Sequence, residues 1–191
     1  ILLTHPHADH VSGLVEVLKR YDVGAIILSG ADLKTDVYSE FLKVTLEKNI
    51  PVIIAEAGDA IHFDKNLEFD IIWPEENSER LAFNKNAEGF GAKGNDVNNT
   101  SIVGKLIFED FSMLLTGDAT LEVENNLSAY GDNLKSDILK VGHHGSKYSS
   151  SLLFLKTVAP KAAIIEVGAK NFYGHPSPAA LSRLKMISVN I

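Results

Sequence analysis

The chain has 191 residues, of which 45% are hydrophobic and 23% are charged, so it can bury one core but is too short for two large domains. A formal net charge of −7 argues against nucleic-acid binding through a generally basic surface, although a local patch or bound cations can override that average. Cysteine is absent, which excludes disulfides and thiolate metal ligands. We therefore expect a single domain over residues 1–191.

The ends of the chain and its apolar runs bear on its context. No run approaches the roughly 20 apolar residues of a membrane span, and ILLTH lacks the pattern of a signal peptide. The chain begins without Met inside an apolar run and stops at SVNI, where another strand would be starting. We expect a fragment of a domain that extends beyond both ends.

The first third of the chain predicts a β-α-β arrangement. Apolar residues recur at helical spacing over 11–21, and AIIL at 25–28 then has the pattern of a short buried strand. Residues 36–48 repeat the helical pattern, and PVIIA at 51–55 follows as another apolar strand. Helices and strands therefore alternate, which is typical of layered α/β folds.

The alternation continues in the rest of the chain after a polar segment at 75–99, which we interpret as a long loop. SIVGKLIFED and FSMLLTGD predict a hairpin that turns at Glu109 and Asp110. The other predicted elements are a strand at 67–73, a helix at 119–130 closed by Gly131, the strand DILKV, a helix at 149–157, the strand AAIIEV and a helix from Pro178.

Histidines and aspartates follow the ends of the apolar strands. His5 comes directly after ILL, Asp118 after SMLLTG, His143 and His144 after ILKVG, and His175 soon after IIEVG. Residues beyond strand ends line the crevice where ligands bind in sheets flanked by helices. We expect these segments to converge on one site.

THPHADH, residues 4–10, concentrates three of the seven histidines. Imidazole and carboxylate together suit zinc, iron or manganese, and several of each can hold two ions about 3.5–4 Å apart. In an extended loop His5 and His7 can face one way, while Asp9 and His10 turn toward a neighbouring position. The cluster therefore predicts a metal centre.

THPHADHVSG resembles the HxHxDH signature of the metallo-β-lactamase superfamily. LLTGD, NNTS, LKVGHHGS and NFYGHP, combined with it, resemble the soluble domain of the ComEC family of competence DNA-uptake proteins. The resemblance implies an αββα sandwich of the α/β class that binds two divalent metal ions, zinc or manganese. It implies the following ligands: His5 and His7 for one ion, Asp9 and His10 for the second, Asp118 as a bridge, and His175 completing the second site.

HHGS, residues 143–146, has two interpretations. His143 or His144 binds a metal, or one of them contacts phosphate or protonates the leaving oxygen, as a non-ligand histidine often does in phosphodiesterases of the superfamily. We favour the second role without choosing between the two, and count Asp9 with them as catalytic. Gly145 and Ser146 suit close approach of a phosphate, although a simple turn explains them equally well.

One ligand of the superfamily has no counterpart in this chain. Many members place a further histidine between HxHxDH and the bridging Asp, where this chain has only His62, in AIHF. NNTS lies where that histidine is expected, so Asn98 or Asn99 is predicted to face the first metal, and Asn99 is counted as a substrate-binding residue. We expect the first metal to bind weakly.

The resemblance implies a metal-dependent phosphodiesterase, a nuclease that acts on single-stranded DNA during uptake. The alternatives are a hydrolase of another ester or a lactam, and a metal-bearing module that binds DNA with little activity. As part of a membrane channel protein, the domain is expected to be extracytoplasmic. The part of the chain from HHGS to YGHP also carries several lysines, which have two interpretations. They form a path for the DNA backbone, or they are ordinary solvated side chains: Lys140, Lys147, Lys156, Lys161 and Lys170.

Overall fold

The computed structural model describes residues 1–75 and 97–191. Within these residues the chain forms nine strands and five α-helices. The strands are β1 (Leu2–Leu3), β2 (Ile26–Leu28), β3 (Val52–Ile54), β4 (Ala60–Asp64), β5 (Leu67–Trp73), β6 (Val103–Phe108), β7 (Phe111–Leu115), β8 (Ile138–Lys140) and β9 (Ala162–Ile164). The helices are α1 (Ala8–Arg20), α2 (Asp36–Glu47), α3 (Leu121–Leu127), α4 (Leu152–Val158) and α5 (Pro178–Met186).

The strands form two sheets. The first sheet is parallel, in the order β1-β2-β3. The second has six strands in sequence order, with β4 to β7 as an antiparallel meander and β7, β8 and β9 parallel to one another. Since parallel neighbours end at the same edge of a sheet, the segments that follow β7, β8 and β9 emerge side by side.

Three apolar clusters connect the layers. One joins the first sheet to α1 and α2 around Phe41, and another joins the second sheet to α3, α4 and α5 around Phe154. Burying one such side chain contributes about 1.5–3 kcal/mol. The third lies between the sheets, where Phe69, Ile71 and Ile102 pack against Leu2 and Ile27. The order is helix, sheet, sheet, helix, which confirms the αββα sandwich.

Most predicted elements are present near their predicted bounds. The strand at 67–73 and the hairpin turning at Glu109 and Asp110 are confirmed, as is the helix from Pro178, whose cap Ser177 accepts a hydrogen bond from the amide of Ala180. The strand predicted for AAIIEV is shorter in the structure, where β9 ends at Ile164. Of the predicted loop at 75–99, residues 76–96 lie outside the described residues, and Val97–Thr100 form a 3₁₀ turn.

The HxHxDH segment differs from the prediction. Only its first part is extended, because α1 begins at Ala8 and places Asp9 and His10 in its first turn. The amides of His10 and Val11 both donate to the carbonyl of His7 at 3.0 Å, which starts the helix there. Asp9 and His10 were predicted to turn away from His5 and His7, and helical geometry is what sets their directions.

Two further elements differ from the prediction. The predicted helix at 119–130 is the shorter α3, followed by 3₁₀ turns over Ser128–Leu134 in which Gly131 has a φ of 55°. Strand β4 was not predicted; it is an exposed edge strand held by pairing with β5, a partner that local periodicity does not reveal. No helix in the described part of the chain is long and apolar enough to cross a membrane.

Candidate metal centre

The predicted site residues meet at one edge of the sandwich. Asp118 follows β7, His143 and His144 follow β8, and His175 lies in the segment after β9. The first sheet reaches this edge through β1, because the carbonyl of Thr4 accepts a hydrogen bond from the amide of Ile102 at 3.0 Å. The expected convergence at strand ends is therefore observed in the structure.

Asp118 lies at the middle of the cluster and is buried. Its Oδ2 atom is 3.4 Å from His10 Nε2, 3.5 Å from His144 Nε2, 3.9 Å from His5 Nε2 and 4.0 Å from His143 Nε2. One carboxylate oxygen thus faces four imidazoles. This is the arrangement expected of a carboxylate that can bridge two cations.

Four of the groups can converge on one point. Single ligand atoms of Asp9, His10, Asp118 and His144 all lie within 4.8 Å of one another. The contacts of His10 and His144 with Asp118, at 3.4 and 3.5 Å, are longer than the roughly 2.7–2.9 Å of a charge-assisted hydrogen bond. Asp118 Oδ1 is buried without a hydrogen-bond partner among the described residues, which would be costly in a purely structural cluster. The donor set therefore fits a divalent cation.

His5 and His7 form a second group beside the first. His5 Nε2 lies 3.0 Å from His7 Nδ1, and the His5 ring is fully buried. Burial, with the nearby charge of His10, lowers the pKa of His5 to about 3. His5 is therefore neutral at physiological pH, which is the form of imidazole that binds metals.

Neighbouring side chains lower the pKa values of the two carboxylates at the centre. The adjacent imidazole of His144 lowers the pKa of Asp9 to about 2. Burial alone would raise the pKa of Asp118, but the adjacent imidazole of His10 and the charges of His5 and His144 hold it well below its usual range. Both carboxylates are therefore ionised at neutral pH and offer negative charge to a cation.

HHGS has a backbone that local sequence does not favour. His143 and His144 both adopt left-handed conformations, with φ of 49° and 53°, which cost about 1–2 kcal/mol each. The amide of His143 donates to the carbonyl of Gly117 at 3.1 Å, and that of Ser146 donates to the carbonyl of His143 at 2.8 Å. Such strain at a site persists only where the surroundings fix it, and these hydrogen bonds do so.

The two histidines of HHGS have different surroundings. His144 Nδ1 lies 2.8 Å from the carbonyl oxygen of Glu166, which can only accept, so Nδ1 carries a proton and Nε2 faces Asp9 and Asp118. Metal-binding histidines are commonly oriented by such a hydrogen bond from the other ring nitrogen. The ring of His143 instead lies 5.8 Å from that of His175. The pKa of His144 is raised, chiefly by Asp9, and burial lowers that of His175.

The residues predicted to contact substrate already have partners in the protein. The Asn99 side chain accepts a hydrogen bond from Thr120 Oγ1 at 2.5 Å and donates one to Glu122 at 3.0 Å. Ser146 Oγ is buried and accepts from the amide of Tyr148 at 3.2 Å. Gly145 packs on Pro176. Contact of Asn99, Gly145 and Ser146 with a substrate stays a prediction.

The close approach of Gly145 to Pro176 gives a testable prediction. A Cβ at Gly145 would lie 2.7 Å from Pro176 Cβ, and the φ of 79° disfavours any side chain. We expect Gly145→Ala to lower the free energy of unfolding by roughly 2–4 kcal/mol, measured by urea denaturation. Gly58→Ala is the control, since its φ is 98° with open space around it, and it should lose only the conformational part. Equal losses in the two variants would contradict the packing role.

Sequence reasoning did not identify several supporting residues. Ser101, in NNTS, lies with Oγ 3.3 Å from His5 Nδ1 and accepts a hydrogen bond from the amide of Asp118 at 3.0 Å. The position of Ser101 in NNTS could have indicated a role at the site, but the prediction was made for the asparagines of that motif. Arg183 on α5 donates to the carbonyls of Ser149 and Ser150, both at 2.7 Å, and so fixes the segment after HHGS. Nothing local to Arg183 indicates this contact.

Other residues of interest lie away from the centre. His62 is exposed on β4 and pairs with Glu68 at 3.3 Å. The five lysines do not form one path, because Lys161, at the start of β9, pairs with Asp137 at 2.6 Å at the opposite end of these strands from the centre. Lys140 pairs with Glu166 at 3.7 Å.

Comparison with known proteins gives related sequences. The chain is 30% identical over 191 residues to ComE operon protein 3 of Bacillus subtilis, covering all of this chain and 23% of that protein. It is 37% identical over 100 residues to competence protein ComA of Neisseria gonorrhoeae, covering 52% of this chain and 14% of that protein. The chain thus spans less than a quarter of the length of either relative. These matches confirm the resemblance to the ComEC family.

Solved structures and a family model agree on the fold. A putative metal-dependent hydrolase from Parabacteroides distasonis superposes with a TM-score of 0.52 at 14% identity, over 100% of this chain and 73% of that one. The family model that describes the metallo-beta-lactamase superfamily matches residues 1–168 of the chain. With the αββα layers and a potential metal site at the strand ends, this match shows that the chain belongs to the metallo-β-lactamase superfamily.

Proposed function

We propose that this chain is a metal-dependent phosphodiesterase that cleaves DNA, and that it is the hydrolytic part of a larger competence protein. The observation that carries the proposal is the cluster of Asp9, His10, Asp118 and His144, whose ligand atoms lie within 4.8 Å of one another. The name of one relative, competence protein ComA, refers to competence, and together with the resemblance to competence DNA-uptake proteins it supports DNA as the substrate. In this proposal the larger protein is a membrane channel, and this domain lies outside the cytoplasmic membrane.

The proposed ligands form two sets that share Asp118. Asp9, His10 and His144 would hold one zinc or manganese ion with it, and His5 and His7 would hold the other. His144 takes the place that the resemblance gave to His175, because its Nε2 atom lies nearer the two carboxylates and its Nδ1 atom is fixed by the Glu166 carbonyl. His175 stays a candidate ligand, since its buried Nδ1 has no hydrogen-bond partner among the described residues.

The remaining groups of the centre have roles around the scissile phosphate. Divalent ions at such a centre lower the pKa of water and polarise a phosphoryl group. His143 lies beside the shared carboxylate, with Nε2 4.0 Å from Asp118 Oδ2, and is not in the four-residue cluster. We assign it the transfer of a proton from Nε2 to the leaving oxygen. Ser101 and the Glu166 carbonyl keep the rings of His5 and His144 in place.

The proposal is tested by restoring metal to the chelator-treated chain. We expect zinc or manganese to restore cleavage of a single-stranded oligonucleotide. Up to two ions should be bound per chain, as measured by elemental mass spectrometry. The chromogenic lactam nitrocefin and a simple carboxyl ester are the control substrates and should not be turned over. Hydrolysis of either control without DNA cleavage, or tight DNA binding by the metal-loaded chain without cleavage, would contradict the proposed activity.

A further inference from the structure

Two adjacent aromatic residues are exposed at the turn of residues 168–175, here called the aromatic turn. Phe172 is 101% exposed and Tyr173 is 73% exposed. Burying a side chain of this size contributes about 1.5–3 kcal/mol, and Phe172 contributes none of that to folding. A single exposed apolar residue is ordinary. Two neighbouring exposed rings, held in a fixed position beside a metal centre, instead indicate a binding surface.

The aromatic turn is ordered by its own hydrogen bonds. The side chain of Asn171 donates to the carbonyls of Gly168 and His175 at 2.9 and 2.7 Å, and accepts from the amides of Tyr173 and His175 at 3.1 and 3.0 Å. Gly174 adopts a φ of 70°, which completes the turn. Because the backbone is already fixed, binding a ligand to the rings costs little conformational entropy.

The aromatic turn adjoins the metal centre. The ring of Tyr173 stacks on that of His175, with centroids 5.9 Å apart and an angle of 22° between the planes. His175 in turn lies 5.8 Å from His143, measured between ring centroids. A polymer whose phosphate lies at the cluster would therefore place a neighbouring unit against the aromatic turn.

We propose that Phe172 and Tyr173 stack on unpaired nucleobases and so select single-stranded over duplex DNA. The proposal rests on the proposed function, since it assumes that the strand runs across the metal centre. Stacking of a base on an aromatic ring contributes about 1–3 kcal/mol and tolerates any sequence, because every base has a flat face. Bases in a duplex are already stacked on one another. Lys170, exposed in the same turn, adds a positive charge for the backbone.

The test compares strands with and without bases. Binding of the metal-loaded chain is measured by fluorescence anisotropy with a phosphorothioate oligonucleotide, which resists cleavage, and with an abasic strand of the same length. Phe172→Ala and Tyr173→Ala should each weaken binding of the base-containing strand by about 5- to 100-fold. Binding of the abasic strand should change less than about twofold, since its backbone charge is the same.

A matched control removes an aromatic ring elsewhere. Phe63 is 61% exposed on β4, so Phe63→Ala should leave binding of both strands unchanged. Thermal melting should be the same for all three variants, because the rings are exposed. Affinity losses that are equal for the two strands would refute stacking. Unchanged affinity in both turn variants would refute it too, and would favour a contact with another part of a larger protein.

The two proposals can fail separately. Binding that depends on bases and on the aromatic turn, in a chain that never cleaves DNA, would support the stacking role and contradict the nuclease. Cleavage of DNA that is indifferent to both aromatic substitutions would support the nuclease and contradict the stacking role. Duplex DNA of the same sequence should bind the wild-type chain at least about fivefold more weakly than the single strand, and tighter duplex binding would refute the selectivity.

Discussion

Asp118→Asn is expected to lose bound metal and DNA cleavage together, with activity falling by roughly 10³-fold or more. The substitution keeps the shape of the side chain but removes the negative charge that faces His5, His10, His143 and His144. Because Asp118 is proposed to bind both ions, neither set of ligands remains complete without it. Metal content by mass spectrometry and initial rates on a labelled oligonucleotide measure the two effects.

A control for this substitution exists at the other end of the same sheet. Asp137 lies at the start of β8, where its carboxylate accepts a hydrogen bond from the amide of Ser112 at 2.8 Å and pairs with Lys161. Asp137→Asn should lower stability somewhat while metal content and activity per folded molecule stay near those of the wild type. An Asp118→Asn variant that keeps both metal and turnover would exclude the bridging role.

The second large effect separates the two histidines of HHGS. His143→Ala is expected to slow DNA hydrolysis by roughly 10²- to 10⁴-fold with metal content near that of the wild type, because a general acid contributes about that much. His144→Ala is expected to lose metal and activity in step, because Nε2 of His144 lies 3.4 Å from Asp9 and 3.5 Å from Asp118. The same metal analysis and rate measurement serve both variants.

A second substrate makes the distinction sharper. Bis(p-nitrophenyl) phosphate has a leaving group that needs little protonation, so His143→Ala should recover part of its activity on it, whereas His144→Ala should be impaired on both substrates. If His143→Ala loses metal in step with activity, His143 is a ligand. If both variants cleave DNA at the wild-type rate, neither histidine has the assigned role.

Much of the candidate site could be predicted before the fold was known. Each candidate group in the cluster lies after an apolar strand, and the strands could be identified because short apolar runs bounded by turn residues have a strong local pattern. Residues beyond strand ends line a crevice in sheets flanked by helices, so the positions of Asp118 and His143 after apolar strands already indicated proximity. The structure adds that β7 and β8 are parallel neighbours, which end at one edge. The resemblance of THPHADHVSG then named the superfamily, which the family model confirms.

The sequence by itself therefore determined the alternation of helices and strands and the placing of candidate ligands after strand ends, since both depend on residue types and on periodicity along the chain. The αββα layers were implied by the resemblance. Only the tertiary structure placed Ser101 against both His5 and Asp118, and only it showed that Lys161 faces away from the centre. It also showed that His144 and His143 have different surroundings. The two residues share the left-handed backbone, and their surroundings differ through contacts far along the chain: His144 Nδ1 lies 2.8 Å from the Glu166 carbonyl, whereas the His143 ring lies 5.8 Å from that of His175. A local sequence pattern does not encode such contacts.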